Sequence, residues 1–213
     1  MMNSKKGLLG YYNYTVILTY IGCVFGLVGI SNVMAFNYHN AILCLMLAGL
    51  CDMFDGAVAS TKKRDANEKC FGIQIDSLSD LICFGVLPGL FTYNISGRTD
   101  IGFMISCVYI LCALIRLAYF NVDEMDRQSQ TTEPRKYYYG MPVTLSALIL
   151  PAFYELSSNF GWEMKHSALV VLGAMACAFL LPFRLTKPKF IGKICVVIFG
   201  LGELLLLVTG VDL

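Results

Sequence analysis

Two long apolar stretches of this chain carry four aspartates at positions where ionised side chains are costly. Asp52 and Asp55 lie in the first stretch, and Asp76 and Asp80 lie in the second. A charged carboxylate at membrane depth costs about 3 kcal/mol or more unless it is paired or faces water. Four carboxylates with almost no cation among them would also repel one another. A divalent metal ion is the simplest way to keep all four ionised.

The composition indicates an integral membrane protein with a single domain. Of the 213 residues, 57% are hydrophobic and only 15% are charged, and the mean hydropathy is +0.65; a soluble domain carries about 25% charged residues. The expected fold class is an all-α polytopic bundle. We expect one transmembrane domain over residues 1–213, with a core at about 10–185 and an extra C-terminal membrane segment at about 190–211. No cleavable signal peptide is expected, because the first apolar stretch is too long, and no nucleic-acid partner is expected.

Seven apolar segments approach the length of about 20 residues that a spanning helix needs. They predict six core transmembrane helices plus one or two C-terminal membrane segments. The last segment contains glycines and Glu203, so it forms either one helix or a broken pair of helices. The connection Asn121–Tyr139 is polar, and its part Asp123–Lys136 is expected to be mobile, either as a solvated connector or as a gate. The segments lie at about 14–35, 38–60, 70–93, 100–120, 140–158, 167–183 and 192–211.

The distribution of Lys and Arg predicts the orientation in the membrane. With the N-terminus in the cytoplasm, two cations, Arg98 and Lys165, fall outside, and Arg116 lies within the fourth span. This bias places the aspartates at the cytoplasmic side of the cell membrane and the Tyr137–Tyr139 run at the interface. The thirteen cytoplasmic cations are Lys5, Lys6, Lys62, Lys63, Arg64, Lys69, Arg127, Arg135, Lys136, Arg184, Lys187, Lys189 and Lys193.

The spacing of the aspartates predicts one shared site. Residues three or four positions apart share a face of a helix, so each segment presents its pair of aspartates on one face. The short loop between the segments lets these faces meet, and we call the four carboxylates the aspartate cup. Oxygen ligands alone favour Mg²⁺ or Mn²⁺ over zinc. Small residues on the same faces, which let a phosphate approach closely, are Gly56, Ala59 and Gly72.

A basic run, Lys62–Arg64, lies in the loop above the aspartate cup, with Lys69 close behind. Such cations contact anionic headgroups and can also steer an anionic phosphate substrate to the metal. A metal site at the membrane surface beside basic residues favours phosphoryl transfer on a lipid. Both histidines, His39 and His166, fall on the outside, so the base that accepts a proton from an attacking hydroxyl should be an aspartate.

The two aspartate segments resemble the signature of the CDP-alcohol phosphotransferase family. The chain reads D-x-x-D-G-x-x-A from Asp52 to Ala59 and G-x-x-x-D-x-x-x-D from Gly72 to Asp80. Seven defined positions on two helices make this a specific match. The resemblance implies six core spans, a cytoplasmic active site, and a homodimer as the partner arrangement.

Three further stretches are similar to the phosphatidylserine synthase branch of this family. They read D-S-L-S-D-L-I-C-F-G-V-L-P from Asp76, R-L-A-Y-F-N from Arg116, and G-M-P from Gly140. The resemblance covers about residues 10–185. It implies that CDP-diacylglycerol and L-serine are the substrates and that phosphatidylserine and CMP are the products.

The resemblance also implies roles for the aspartates and their neighbours. Two ions of Mg²⁺ or Mn²⁺ are implied. Asp80 would complete the second ion site and act as the catalytic base on the serine hydroxyl. Gly56 and Ala59 would pack against the nucleotide. The first ion would be held by Asp52, Asp55 and Asp76.

The chain departs from the family pattern between the two helices. Many members carry Arg directly after the motif alanine, where this chain has Ser60, and the interval from Ala59 to Gly72 is a few residues longer than usual. We therefore expect Ser60 and the run Lys62–Arg64 to contact the substrate, with one cation of the run in place of the missing arginine.

Arg116 and Asn121 are the candidates for the serine pocket. A buried arginine needs a partner, and a substrate carboxylate is a good one. A structural pair with an aspartate, or extension of the side chain to the interface, is an alternative of equal weight.

Two other functions stay open at this point. Another acceptor, such as glycerol 3-phosphate or inositol phosphate, would require additional cations near the aspartate cup, whereas Arg116 is the only cation in the fourth and fifth spans. A divalent-cation transporter also fits intramembrane aspartates. Transport sites usually lie near the midplane, however, and a basic loop above the aspartates would hinder cation access.

Overall fold

The chain folds into a helical bundle with one short pair of strands. The computed structural model describes residues 10–130, 137–161, 163–186, 199–205 and 207. In chain order the elements are α1 (Ile17–Met34, after a 3₁₀ turn at Tyr14–Val16), α2 (Tyr38–Ser60), α3 (Ala66–Asp80), a π-helical stretch (Leu81–Val86), α4 (Leu87–Ile95), α5 (Asp100–Gln130), β1 (Tyr137–Tyr139), a 3₁₀ turn (Val143–Leu145), α6 (Ser146–Phe160), α7 (Met164–Leu180) and β2 (Arg184–Thr186), and residues 199–205 form a further helix, α8.

Four stretches within the described ranges are long and apolar enough to cross a membrane. Two shorter apolar helices, Val143–Ser158 and Met164–Leu180, follow them. The predicted class of a polytopic helical membrane protein is therefore confirmed. The six helices fall on the first six predicted segments, and the count of six core transmembrane helices stays a prediction. Most of the seventh, 192–211, lies outside the described residues. The four longer stretches are Tyr14–Met34, Tyr38–Ser60, Ala66–Ile95 and Asp100–Arg127.

Two predicted helix boundaries were wrong. The fourth span was expected to end near residue 120, but α5 continues to Gln130, so the first part of the predicted polar loop is helical. This stretch contains neither Gly nor Pro, and Arg127 pairs with Glu124 one turn away at 2.5 Å. The rest of the predicted mobile connector, 131–136, lies outside the described residues. The third span begins at Ala66 rather than at 70.

A capping box explains the early start of α3. The Asp65 side chain accepts a hydrogen bond from the backbone N–H of Glu68 at 2.7 Å, and the Glu68 side chain accepts one from the backbone N–H of Asp65 at 3.2 Å. These two bonds satisfy backbone donors that the first turn of a helix otherwise leaves unpaired. The helix that carries Asp76 and Asp80 is thereby fixed at its first turn.

The strands β1 and β2 form a two-stranded antiparallel sheet where a loop was expected. Tyr137 pairs with Thr186, and Tyr139 pairs with Arg184. Gly140 follows with a φ of 71°, and a Cβ there would lie 2.8 Å from the carbonyl oxygen of Phe179. The sheet therefore ties the start of α6 to the end of α7.

Small residues let α1 approach the other helices closely. A Cβ at Gly26 would lie 2.6 Å from Sγ of Cys83, and a Cβ at Gly29 would lie 2.7 Å from Cδ2 of Leu87. Neither contact leaves room for a methyl group. Because α1 sits this close, its polar atoms can reach the residues of α2 and α3.

Gly26→Ala should lower the thermal midpoint of the purified protein in detergent. The added methyl group would overpack the contact with Cys83, and overpacking typically costs about 1–3 kcal/mol of folding free energy. Gly173→Ala is the matched control, because Gly173 lies within α7 and has open space at its Cβ position. Alanine favours a helix over glycine by up to about 1 kcal/mol, so the control should be neutral or stabilised. Equal midpoints for the two variants would contradict the close packing of α1.

Candidate active site

The four aspartates of the cup surround one cavity between α2 and the end of α3. Carboxylate oxygens of Asp52, Asp76 and Asp80 all lie within 4.8 Å of one another. The side chain of Asp55 is at hydrogen-bond distance from that of Asp76. The enclosed cavity has a volume of about 10 Å³, room for about one water-sized group. The geometry is the one that the helical spacing predicts, and the role of each aspartate stays a prediction.

The carboxylate arrangement fits a divalent ion. Two carboxylates at hydrogen-bond distance must share a proton or a cation, because two ionised groups in contact repel each other. Here three carboxylate oxygens converge and a fourth carboxylate touches one of them. The donors are oxygen atoms alone, which is the ligand set that Mg²⁺ and Mn²⁺ prefer.

A third helix, α1, also lines the cavity, and the sequence analysis missed its contribution. Thr19 and Gly22 of α1 face the same space as the aspartates. The Thr19 hydroxyl donates a hydrogen bond to Oδ2 of Asp55 at 3.3 Å. The only signal in the sequence was a hydroxyl residue near the start of an otherwise apolar span, and such residues are common in membrane helices.

The helix changes its winding immediately after Asp80. Residues Leu81–Val86 are π-helical, an irregularity that frequently marks functional sites. The carbonyl oxygen of Phe84 in this stretch accepts hydrogen bonds from the Tyr109 hydroxyl at 2.7 Å and from the Ser146 hydroxyl at 3.4 Å. Both donors are fully buried. Bonds from α5 and α6 thus hold the backbone one turn beyond Asp80.

The small residues predicted beside the aspartates have different surroundings. Gly56 is exposed, and no neighbouring atom of the described residues lies within 4 Å of the position that a Cβ would occupy. Ala59 is half-buried one turn later on α2. A Cβ at Gly72, by contrast, would lie 3.0 Å from Nη1 of Arg64. Gly56 therefore leaves an exposed face of α2 without a side chain, and Gly72 accommodates a guanidinium group.

The three cations of the basic loop have different partners. Lys62 forms an ion pair with Glu68 at 2.9 Å, and Lys63 is exposed. Arg64 lies against Gly72 and interacts electrostatically with Asp55. Of these three cations, Arg64 is therefore the one placed beside the aspartate cup.

Ser60, which occupies the position of the usual family arginine, does not extend toward a partner helix. Its hydroxyl donates a hydrogen bond to the carbonyl oxygen of Ala57 at 2.6 Å, within α2 itself. Because the serine side chain is short and bonds to its own helix, it does not fill the space that an arginine side chain would occupy at this position. A substrate contact by Ser60 stays a prediction.

The two residues predicted for the serine pocket are both buried in α5. Arg116 is 6% exposed, and its guanidinium carbon lies 5.7 Å from the ring centre of Phe120. Its Nε would be 3.6 Å from a Cβ at Gly140. Arg116 therefore lies where α5 meets the turn between β1 and α6, and its role toward serine stays a prediction.

Asn121 contacts α3, the helix of Asp76 and Asp80. Its Oδ1 accepts a hydrogen bond from the Ser77 hydroxyl at 2.7 Å, and its Nδ2 lies 3.5 Å from Oε1 of Gln74. These contacts orient α3 against α5. A direct contact of Asn121 with substrate stays a prediction.

The sequence is similar to a protein family and to several known proteins. Residues 12–202 match the model of the CDP-alcohol phosphatidyltransferase family. A CDP-diacylglycerol–serine O-phosphatidyltransferase of Bacillus subtilis is 26% identical over 181 residues, which cover 84% of this chain and 92% of the relative. The protein of the same name from Methanocaldococcus jannaschii is 27% identical, covering 79% and 74% of the two chains. An archaetidylserine synthase of Methanothermobacter thermautotrophicus is 31% identical, covering 75% and 67%.

Proposed function

This chain belongs to the CDP-alcohol phosphatidyltransferase family, and we propose that it transfers the phosphatidyl group from CDP-diacylglycerol to L-serine, giving phosphatidylserine and CMP. The observation that carries this proposal is the convergence of carboxylate oxygens from Asp52, Asp76 and Asp80 within 4.8 Å, with Asp55 in contact. Relatives named for the serine reaction align with most of the chain. The choice of L-serine as the acceptor is supported by the names of these relatives.

In this proposal the aspartate cup binds two ions of Mg²⁺ or Mn²⁺. Asp52, Asp55 and Asp76 hold the first, and Asp80 takes part in the second. When bound, such ions neutralise the diphosphate charge and stabilise the leaving group. The convergence of oxygen-only ligands supports this assignment.

Asp80 is the proposed catalytic base. It accepts the proton of the serine hydroxyl, and the hydroxyl oxygen then attacks the phosphorus that is bonded to diacylglycerol. The bond from this phosphorus to the bridging oxygen breaks, and CMP leaves with that oxygen. The half-buried Asp80 carboxylate lines the same cavity as the other three aspartates, which supports this role.

We propose that the cytidine diphosphate group lies along the face of α2 that carries Gly56 and Ala59. Gly56 presents no side chain there, and Ala59 continues the same face of α2. Arg64 contributes a positive charge beside the aspartates. We propose that Arg64 contacts the diphosphate in place of the arginine that Ser60 replaces.

The proposal also includes a pocket for serine, an orientation in the membrane and an oligomeric state. Arg116 would receive the serine carboxylate, with Asn121 holding α3 beside it. The multi-pass protein would lie in the cytoplasmic membrane with the aspartate cup on the cytoplasmic side, as the distribution of cations favours. A homodimer is the proposed assembly, on family resemblance.

The test is CMP release by the purified full chain in detergent, with CDP-diacylglycerol and either Mg²⁺ or Mn²⁺. Release that requires L-serine, together with a phosphatidylserine product, would support the proposal. Release with glycerol 3-phosphate or another alcohol, but not with serine, would keep the family and change the acceptor. The absence of release with any acceptor would contradict the proposed reaction.

Arg64→Ala should raise the KM for CDP-diacylglycerol by about 10–100-fold, because a hydrogen bond to a charged group is worth about 1.5–3 kcal/mol. The kcat at saturating substrate should change less. Lys63→Ala is the matched control, since Lys63 belongs to the same loop but is exposed. Equal effects of the two substitutions would mean that the loop acts through its overall charge and that Arg64 makes no specific contact.

A further inference from the structure

Thr19 contacts both helices that build the aspartate cup. Its side chain is buried in α1, with 7% of the residue exposed. Its hydroxyl donates to Oδ2 of Asp55 in α2 at 3.3 Å, and its backbone carbonyl accepts from the Ser79 hydroxyl at 3.4 Å. Ser79 directly precedes Asp80, so one residue of α1 is bonded to both sides of the cup.

The surroundings of Thr19 keep its hydroxyl facing the aspartates. Gly22, one turn later in α1, lies so close to α2 that a Cβ there would be 3.2 Å from Cβ of Cys51. The carbonyl oxygen of Gly22 accepts a bond from Sγ of Cys83 at 3.4 Å. These contacts fix the rotation of α1 about its axis, and the fixed rotation places the Thr19 hydroxyl in the cavity.

The Asp55 carboxylate is held from two directions. The Thr19 hydroxyl bonds Oδ2 from α1, and the Asp76 side chain faces the same carboxylate from α3. Because hydrogen bonds from neighbouring groups orient the ligands of a metal, their loss typically lowers metal affinity by about 10–100-fold. Asp55 also touches Asp76, so its orientation affects a second carboxylate of the cup.

We propose that Thr19 is a positioning residue that orients the Asp55 carboxylate for divalent-metal binding. This inference rests on the proposed role of the aspartate cup as the metal site. Thr19 does not contact the reacting atoms in this scheme and acts through Asp55. The bond between Ser79 and the Thr19 carbonyl anchors α1 against α3 and keeps the hydroxyl in register with Asp55.

The test measures Mn²⁺ binding directly, by electron paramagnetic resonance of free Mn²⁺ titrated with the purified full chain. Thr19→Val removes the hydroxyl and keeps the branched shape, and it should weaken Mn²⁺ binding by about 10–100-fold. Thr19→Ser keeps the hydroxyl and should restore the affinity to within a few-fold of the native value. Thr19→Ala, a second variant without the hydroxyl, should behave like Thr19→Val.

Thr92→Val is the matched control. Thr92 is a fully buried threonine in α4 whose hydroxyl makes no hydrogen bond within the described part of the chain, and it is not one of the residues that line the aspartate cavity. Its substitution should leave Mn²⁺ binding unchanged. If replacing any buried threonine weakened Mn²⁺ binding, the loss would appear at both Thr19 and Thr92.

The outcomes separate this inference from the proposed function. Native Mn²⁺ affinity in both Thr19→Val and Thr19→Ala, with serine-dependent CMP release intact, would overturn the role of Thr19 alone. Failure of the native chain to bind Mn²⁺ would overturn the metal site and the role of Thr19 together. Weaker binding in both variants with recovery in Thr19→Ser would support the inference, and the Mn²⁺ concentration for half-maximal activity should then rise in parallel.

Discussion

Asp80→Asn should lower serine-dependent CMP release by about 10²–10⁴-fold, the range that a positioned general base contributes. Asparagine has nearly the same shape as aspartate, but its amide cannot accept the serine proton as a carboxylate does. The native carboxylate lies within 4.8 Å of Asp52 and Asp76 and is held at the start of the π-helical stretch. The loss should appear in kcat at saturating Mn²⁺, serine and CDP-diacylglycerol.

Glu68→Gln is the control for a general effect of removing a carboxylate from this helix. Glu68 lies in the first turn of α3 and pairs with Lys62, outside the aspartate cup. It should retain most of the native rate. A native-like rate in Asp80→Asn would exclude Asp80 as the base. A lost rate that returns fully at high Mn²⁺ would limit Asp80 to ion binding.

The sequence was sufficient to predict the arrangement of the aspartates. Their spacings of three and four residues are fixed by helical geometry, and a short connection between two spans forces their faces together. The same reasoning placed the first four spans close to the helices observed. These are local properties, and a single helix or hairpin is enough to determine them.

Contacts between distant segments could not be predicted in this way. Thr19 reaches Asp55 because Gly22 and Gly26 let α1 approach closely, and nothing in the spacing of α1 alone reveals which partner it meets. In the π-helical stretch, the hydroxyls of Tyr109 and of a serine of α6 donate to one backbone carbonyl oxygen. Such features require the packed structure, because their donors and acceptors are far apart in the chain.

In the basic loop, too, the sequence does not reveal which residues contact each other, although these residues are close in the chain. The sequence groups Lys62, Lys63 and Arg64 as one cluster of cations. Glu68 binds Lys62, and its position follows from the capping box with Asp65. That local geometry separates Arg64, which lies against Gly72, from its neighbours. The helix cap therefore determines which of the three cations lies beside the aspartates, and the composition of the loop alone does not reveal it.

Divalent metal should stabilise the folded protein as well as support its reaction. An ion that binds only the folded state adds about 2.7 kcal/mol to the free energy of unfolding when its concentration is 100-fold above Kd. The converging carboxylates of Asp52, Asp76 and Asp80 repel one another without a cation, so this gain should be visible. After treatment with a chelator, the thermal midpoint in detergent should rise when Mg²⁺ or Mn²⁺ is added back, and CMP release should return from none to its native rate.

Asp76→Asn should remove both responses, because it takes away a carboxylate that contacts Asp55 and converges with Asp52 and Asp80. It should also raise the midpoint of the metal-free protein relative to the native chain, since one source of repulsion is gone. Glu68→Gln should keep the native response to metal, because its carboxylate lies outside the cup. A midpoint that is indifferent to Mg²⁺ and Mn²⁺ in the native chain, with CMP release unaffected by the chelator, would mean that the four aspartates are held by shared protons and that the reaction proceeds without metal.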